Sequence, residues 1–145
     1  GGTFSVAAWI RASGLDTRQG LFSTRKNNPA GGWQIEAGSC RASVNAICVT
    51  GAGVWILQTT GNVLTTNQWH HVVYTRTSNS DTGTIYVNGA KVATSTATAY
   101  TVSDNADAKE IGRGTSATQY FKGKIDELRL YNRALSDAQL QAMTA

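Results

Sequence analysis

Proline and methionine occur once each in the 145 residues, histidine and cysteine twice each, and charged residues make up only 15%. These scarcities exclude a good deal. Two cysteines with no histidine or second cysteine pair beside them do not make a zinc site. No apolar run approaches the ~20 residues that cross a bilayer as a helix, so no membrane span is expected. Charge is too sparse for a coiled coil, and an apolar fraction of 41% is too high for a disordered tail. No dense Lys/Arg cluster, helix-turn-helix or RNA-binding aromatic motif occurs, which argues against nucleic acid as a partner. No serine stands in a nucleophile elbow, and Gly112-Arg113-Gly114 lacks the other elements of a phosphate loop. Acids are also scarce in the first half. Between Thr17 and Ser80 the bases Arg18, Arg25, Lys26, Arg41 and Arg76 face a single acid, Glu36. With a net charge of +4, that asymmetry reads equally as ordinary surface charge or as a face for an anionic partner.

What is present is a succession of short extended segments. Phe4 to Arg11 alternates, with Phe4, Val6, Ala8 and Ile10 on one face. Leu21 to Arg25, Trp33 to Ala37, Ser43 to Thr50, Val54 to Thr60 and Trp69 to Thr77 follow, separated by glycine- and asparagine-rich turns. Trp33, Ile35 and Ala37 form an apolar face that points inward, which places Gln34 and Glu36 on the open side. Thr84 to Val87 and Ala90 to Ala93 flank Asn88-Gly89, a pair suited to a type I′ hairpin turn. A threonine-rich stretch and a loop at Asp104 to Asp107 lead to a short strand at Lys109 to Arg113. From Phe121 to Tyr131 the chain alternates again, and Ser136 then caps a closing helix over Ser136 to Met143. This pattern predicts one all-β domain over 1–145, an antiparallel β-sandwich with one short C-terminal helix.

Cys40 and Cys48 lie in a stretch of small and β-forming residues able to fold back on itself. They read as a disulfide, with two buried thiols as the alternative, and secreted domains use disulfides. So short a loop contributes ~2–3 kcal/mol on the chain-entropy account.

Four stretches together resemble the laminin-G-like, concanavalin-A-like lectin/glucanase superfamily, nearest its bacterial laminin G 3 branch. They are Phe4 to Ile10 (FSVAAWI), Trp69 to Arg76 (WHHVVYTR), Ile85 to Val92 (IYVNGAKV) and Gly123 to Ser136 (GKIDELRLYNRALS). The resemblance implies a concanavalin-A-like jelly roll and includes sugar-binding members. Relatives start one strand earlier, so the chain reads as a domain excised from a larger secreted polysaccharide-active enzyme or adhesin. The resemblance also implies a structural calcium, with Asp126 matching the closing motif.

Catalysis on this fold commonly needs two carboxylates facing one sugar. Asp126 and Glu127 are adjacent, so on a regular strand they point to opposite faces. The short motifs of jelly-roll polyuronate lyases fail here, because position 36 is Glu where a histidine is expected. His70 and His71 read as structural residues of a strand. The expected function is therefore a non-catalytic carbohydrate-binding module, monomeric and extracellular, that binds an oligo- or polysaccharide. A protein-interaction or adhesion module is the alternative, and a glycoside hydrolase or polysaccharide lyase a further one. The candidate sugar-binding residues are Arg25, Gln34, Glu36, Trp55, Tyr100, Arg113 and Tyr120. Aromatic rings stack on sugar faces, amides and carboxylates bind hydroxyls, and arginine holds acidic groups. The basic first half favours an acidic polysaccharide over a neutral one.

Overall fold

A computed structural model describes residues 2–25, 31–51, 54–78, 82–95 and 108–145. Ten strands are found there: β1 (Phe4–Ala12), β2 (Gln19–Ser23), β3 (Trp33–Gly38), β4 (Ala46–Gly51), β5 (Val54–Gln58), β6 (His70–Thr77), β7 (Thr82–Val87), β8 (Ala90–Ser95), β9 (Glu110–Ile111) and β10 (Gly123–Tyr131). One helix, α1 (Asp137–Ala142), follows. The strands form two five-stranded sheets, ordered β10-β1-β6-β7-β8 and β5-β4-β3-β2-β9. Every pairing is antiparallel. Because opposed strands in each sheet alternate their side chains, each sheet has one face for the core and one face turned away from it.

The core face of β1 is the predicted one, with Phe4, Val6, Ala8 and Ile10 all in the main apolar cluster. Trp33 points inward as expected and ties the sheets together. Its ring stacks on Phe4 of the opposite sheet at 4.7 Å and lies 5.5 Å from Phe22. Phe4 in turn meets the edge of Tyr74 at 5.9 Å. Such ring pairs contribute about 1 kcal/mol each beyond the area they bury. The hairpin between β7 and β8 turns at Asn88 and Gly89, with φ of 52° and 78°. Both values are positive, as a type I′ turn requires.

Beyond the first sheet lies α1. Ser136 accepts from the Gln139 backbone N–H, and the Gln139 side chain returns the bond to the cap backbone. This reciprocal box satisfies two N–H groups that the helix start leaves free. The helix buries Leu140 against Ala7, Val73 and Tyr86 on the outer face of the first sheet. Tyr86 donates its hydroxyl to Asp137 Oδ1 at 2.8 Å. Burial first, then the Asp137 carboxylate, pushes the Tyr86 phenol up to about 12.

The closing strand departs from simple alternation. Glu127 has φ 51°, and the register with β1 jumps from Asp126 opposite Trp9 to Arg129 opposite Ala7. One extra residue is thus inserted, a β-bulge. Ile125 and Leu128, three apart, both reach the core. The simple alternation expected from Phe121 to Tyr131, which would put Leu128 on a face with Asp126 and Ile125 with Glu127, is therefore corrected.

Candidate functional site

The outer face of the second sheet carries the candidate residues. Ile35 and Ala37 of β3 point into the core, so Gln34 and Glu36 point the other way, as the alternation predicts. That side, however, is not open. Gln34 and Glu36 are 2% and 0% exposed. The cause is a loop the sequence does not announce. Residues 114–119 cross β2 so closely that a Cβ on Gly20 would lie 2.0 Å from the Gly114 nitrogen. Thr115 then donates to Gln34 Oε1 from its backbone N–H at 2.8 Å and from its hydroxyl at 2.7 Å. Gln34 is a fastening for this loop, not a free sugar ligand.

Glu36 lies deeper in the same polar layer. Thr50 of β4 donates its hydroxyl to Oε2 at 2.9 Å, and Arg18 Nε stands 3.0 Å from Oε1. The Arg18 contact is an ion pair and not an aligned hydrogen bond, since Oε1 lacks a bond of good geometry. Burial raises the Glu36 carboxyl above its usual range, while Arg18, Thr50, Gln34 and Arg25 pull the other way. Arg25, at the end of β2, is itself 4% exposed, and burial lowers its guanidinium from the ordinary value. Three candidates expected at the surface, Arg25, Gln34 and Glu36, are thus buried beneath it.

What reaches the surface above them is Arg18 and Trp55. Arg18 precedes β2, and its side chain is 36% exposed. Its guanidinium carbon sits 5.1 Å from the centre of the Trp55 ring. Trp55, on β5, is half-buried and packs on Cys40, Ala46 and Cys48. Cys40 and Cys48 form the predicted disulfide, with Cα atoms 6.1 Å apart. Beside Trp55, along the rim where β5 comes near β8, runs an open depression of about 480 Å³ lined by Arg41, Gln58, Thr94 and Ser95. Sequence reasoning counted Arg18 and Arg41 only in the basic bias. The lone acid among those bases was the available signal, because a buried Glu36 demands a cation.

Arg113 and Tyr120 stand together at the β9 edge of this sheet. They pair as an isolated bridge, the guanidinium lies 5.7 Å from the ring centre, and Glu110 accepts from Arg113 at 2.9 Å. Tyr120 is 56% exposed, as expected of a ring beside a turn. Tyr100 lies outside the described residues. Asp126 Oδ1 accepts from the Glu127 N–H at 2.8 Å and so steadies the bulge. Calcium takes six to eight oxygens. Among the described residues no three His, Cys, Asp or Glu side chains gather around Asp126, so its neighbours there would have to be backbone carbonyls and amide or hydroxyl oxygens. His70 is structural as expected: its Nε2 accepts from the Thr65 N–H at 3.0 Å.

Two packed antiparallel sheets, one with a polar outer face rimmed by a seated tryptophan, define a β-sandwich of the jelly-roll kind. The chain belongs to the concanavalin A-like lectin/glucanases superfamily, whose laminin G 3 family matches residues 1–141. No curated protein matches it. Among solved structures, a Bacteroides ovatus protein described provisionally as carbohydrate-binding is 25% identical, with a TM-score of 0.75. The match covers 96% of this chain and 40% of that one, so the chain spans less than half of that protein's length. The CBM40 module of the Ruminococcus gnavus IT-sialidase, bound to α2,3-sialyllactose, is 18% identical with a TM-score of 0.79, over 99% of this chain and 83% of that one. Domain 4 of AbnA, an extracellular GH43 arabinanase of Geobacillus stearothermophilus in complex with arabinotriose, is 22% identical with a TM-score of 0.74, over 100% and 68% of the two chains.

Proposed function

We propose that this domain is a non-catalytic carbohydrate-binding module of an extracellular protein, and that it holds its saccharide on the outer face of the second sheet. The observation that carries this reading is the Arg18–Trp55 pair. The ring is fixed from below by the Cys40–Cys48 disulfide, and the guanidinium is fixed by the buried Glu36. A sugar can lay an apolar face on the rim of the indole and present hydroxyl or carboxylate oxygens to arginine. The open depression beside Trp55 gives a chain room to run. The sugar complexes of the two enzyme-borne modules support the same class of partner. The disulfide supports an oxidising compartment.

A modest preference for acidic over neutral polysaccharide follows, because Arg18 and Arg41 bring two positive charges here against the single buried carboxyl of Glu36. Support for calcium at Asp126 comes from the resemblance alone. An EDTA-induced fall in melting temperature is the result that would establish it. The binding test is a glycan array and affinity electrophoresis with Arg18→Ala and Trp55→Ala, alongside Arg113→Ala and Tyr120→Ala. The first two variants are expected to lose tenfold or more in affinity, measured on the folded fraction, because Arg18→Ala strips buried Glu36 of its cation and Trp55→Ala uncovers the disulfide. Retained binding in both, or loss only with Arg113 and Tyr120, overturns the placement.

A further inference from the structure

On the opposite side of the sandwich, the outer face of the first sheet holds a second concavity of about 170 Å³ lined by Trp9, His71, Glu127, Arg129 and Met143. Its parts come from four elements. Trp9 and His71 are register partners on β1 and β6, with ring centres 5.1 Å apart. The bulge in β10 brings Glu127 to the same side, where Arg129 pairs with it. Met143, the C-cap of α1, closes the far wall.

His71 is the informative member. It is 2% exposed, and its Nδ1 is buried with no hydrogen-bond partner. A buried imidazole nitrogen left unpaired costs about 1–3 kcal/mol. Core histidines avoid that cost by bonding, as His70 does through Thr65. Burial, then the nearby Arg129, lowers the His71 pKa below its usual value, so the ring is neutral at pH 7 and offers one donor and one acceptor.

We propose that this concavity is a second ligand site, built for a single neutral sugar residue. Trp9 and Met143 supply the apolar wall that a pyranose face covers. His71 supplies a polar group that a ring hydroxyl can satisfy. The Glu127–Arg129 pair supplies an acceptor and a donor at the mouth, both about half exposed. Their charges cancel, which disfavours a free anion or cation and suits a neutral polyol. The volume lies below the ~300 Å³ at which drug-sized pockets begin, so one residue fits and a chain does not. A terminal or branch sugar is the occupant. Because the two sites lie on opposite faces, one domain can hold two glycan chains.

The test is nuclear magnetic resonance of the whole domain, titrated with methyl β-glucoside, methyl β-galactoside, N-acetylglucosamine, L-arabinose and glucuronic acid. Saturable shifts of the Trp9 indole and His71 ring signals are expected with at least one neutral sugar by about 10 mM, in the range of millimolar binding. The same shifts are expected in Trp55→Ala. They are expected to weaken at least tenfold in Arg129→Ala and in His71→Phe, which keeps the ring volume without the nitrogen. Arg129 is exposed on an edge strand, so its variant reports even if the His71 variant fails to fold. Absence of any shift overturns the site, as does unchanged binding in Arg129→Ala. Loss of the shifts in Trp55→Ala places the ligand on the first face instead. Binding of glucuronic acid alone overturns the neutral ligand class.

Discussion

If the proposed face binds glycan, Glu36 couples stability to binding through one side chain. Its carboxyl is raised, chiefly by burial. Folding therefore favours its protonated form. That contribution is fully present below the ordinary glutamate value of 4.5 and is lost as pH rises through the raised folded value. Glu36→Gln keeps the shape and removes the titration. Thermal melts should show the variant gaining on the parent as pH rises through this window. A difference constant with pH contradicts the assignment. Glycan affinity should move the other way, because Arg18 then loses the partner that holds it against Trp55. Arg18 is partly exposed, so its own loss of a counter-charge costs little stability. Arg18 itself was visible in the sequence only as one of five bases. Its importance follows from contact with residues 18 and 37 positions away, which no local pattern encodes.

At the scale of elements, the disulfide and the capped helix each make a separable prediction. Cys40 follows β3 and Cys48 lies on β4, and together they form the bed of Trp55. Cys40→Ser with Cys48→Ser is expected to lower stability by roughly 2–3 kcal/mol, from the short loop the bond closes. Glycan binding should weaken beyond that, because the indole loses its support. Chemical unfolding and binding assays on the folded fraction separate the two effects. Ser136→Ala breaks the capping box of α1 and is expected to cost about 1 kcal/mol. Circular dichroism melts measure it, and binding at Trp55 should stay unchanged, since α1 lies on the other sheet. Both elements were legible beforehand because their chemistry is local: a capping residue needs only near neighbours, and the two cysteines lie 8 apart in sequence. The bulge at Glu127 was not. Asp126-Glu127 interrupts the alternation between Ile125 and Leu128, but only pairing with β1 shows that one residue is inserted there.

For the whole molecule, the expected behaviour is an ionic-strength dependence that differs between ligands. If the Arg18–Trp55 face prefers acidic glycans, their affinity should fall severalfold between 0.05 and 0.5 M salt, as screening of exposed charges predicts in about this range. Neutral glycans should change little. Isothermal titration across salt concentrations measures both. Equal salt responses would keep the lectin reading and discard the acidic ligand.

The chain's own pattern determined the sandwich, because a two-residue period, a hairpin pair and a capped helix are each set by contacts close in sequence. It also determined that Gln34 and Glu36 turn away from the core. Whether that other side meets water was decided by tertiary structure alone. A strand's alternation sorts residues onto faces without saying what covers each face. Here the loop at 114–119, reaching β2 from far along the chain, seals one part, and Arg18 with Trp55 roofs another. The buried acid then draws its cation and positions it at the surface, so the group proposed to bind is the counter-ion of the residue the sequence pointed to.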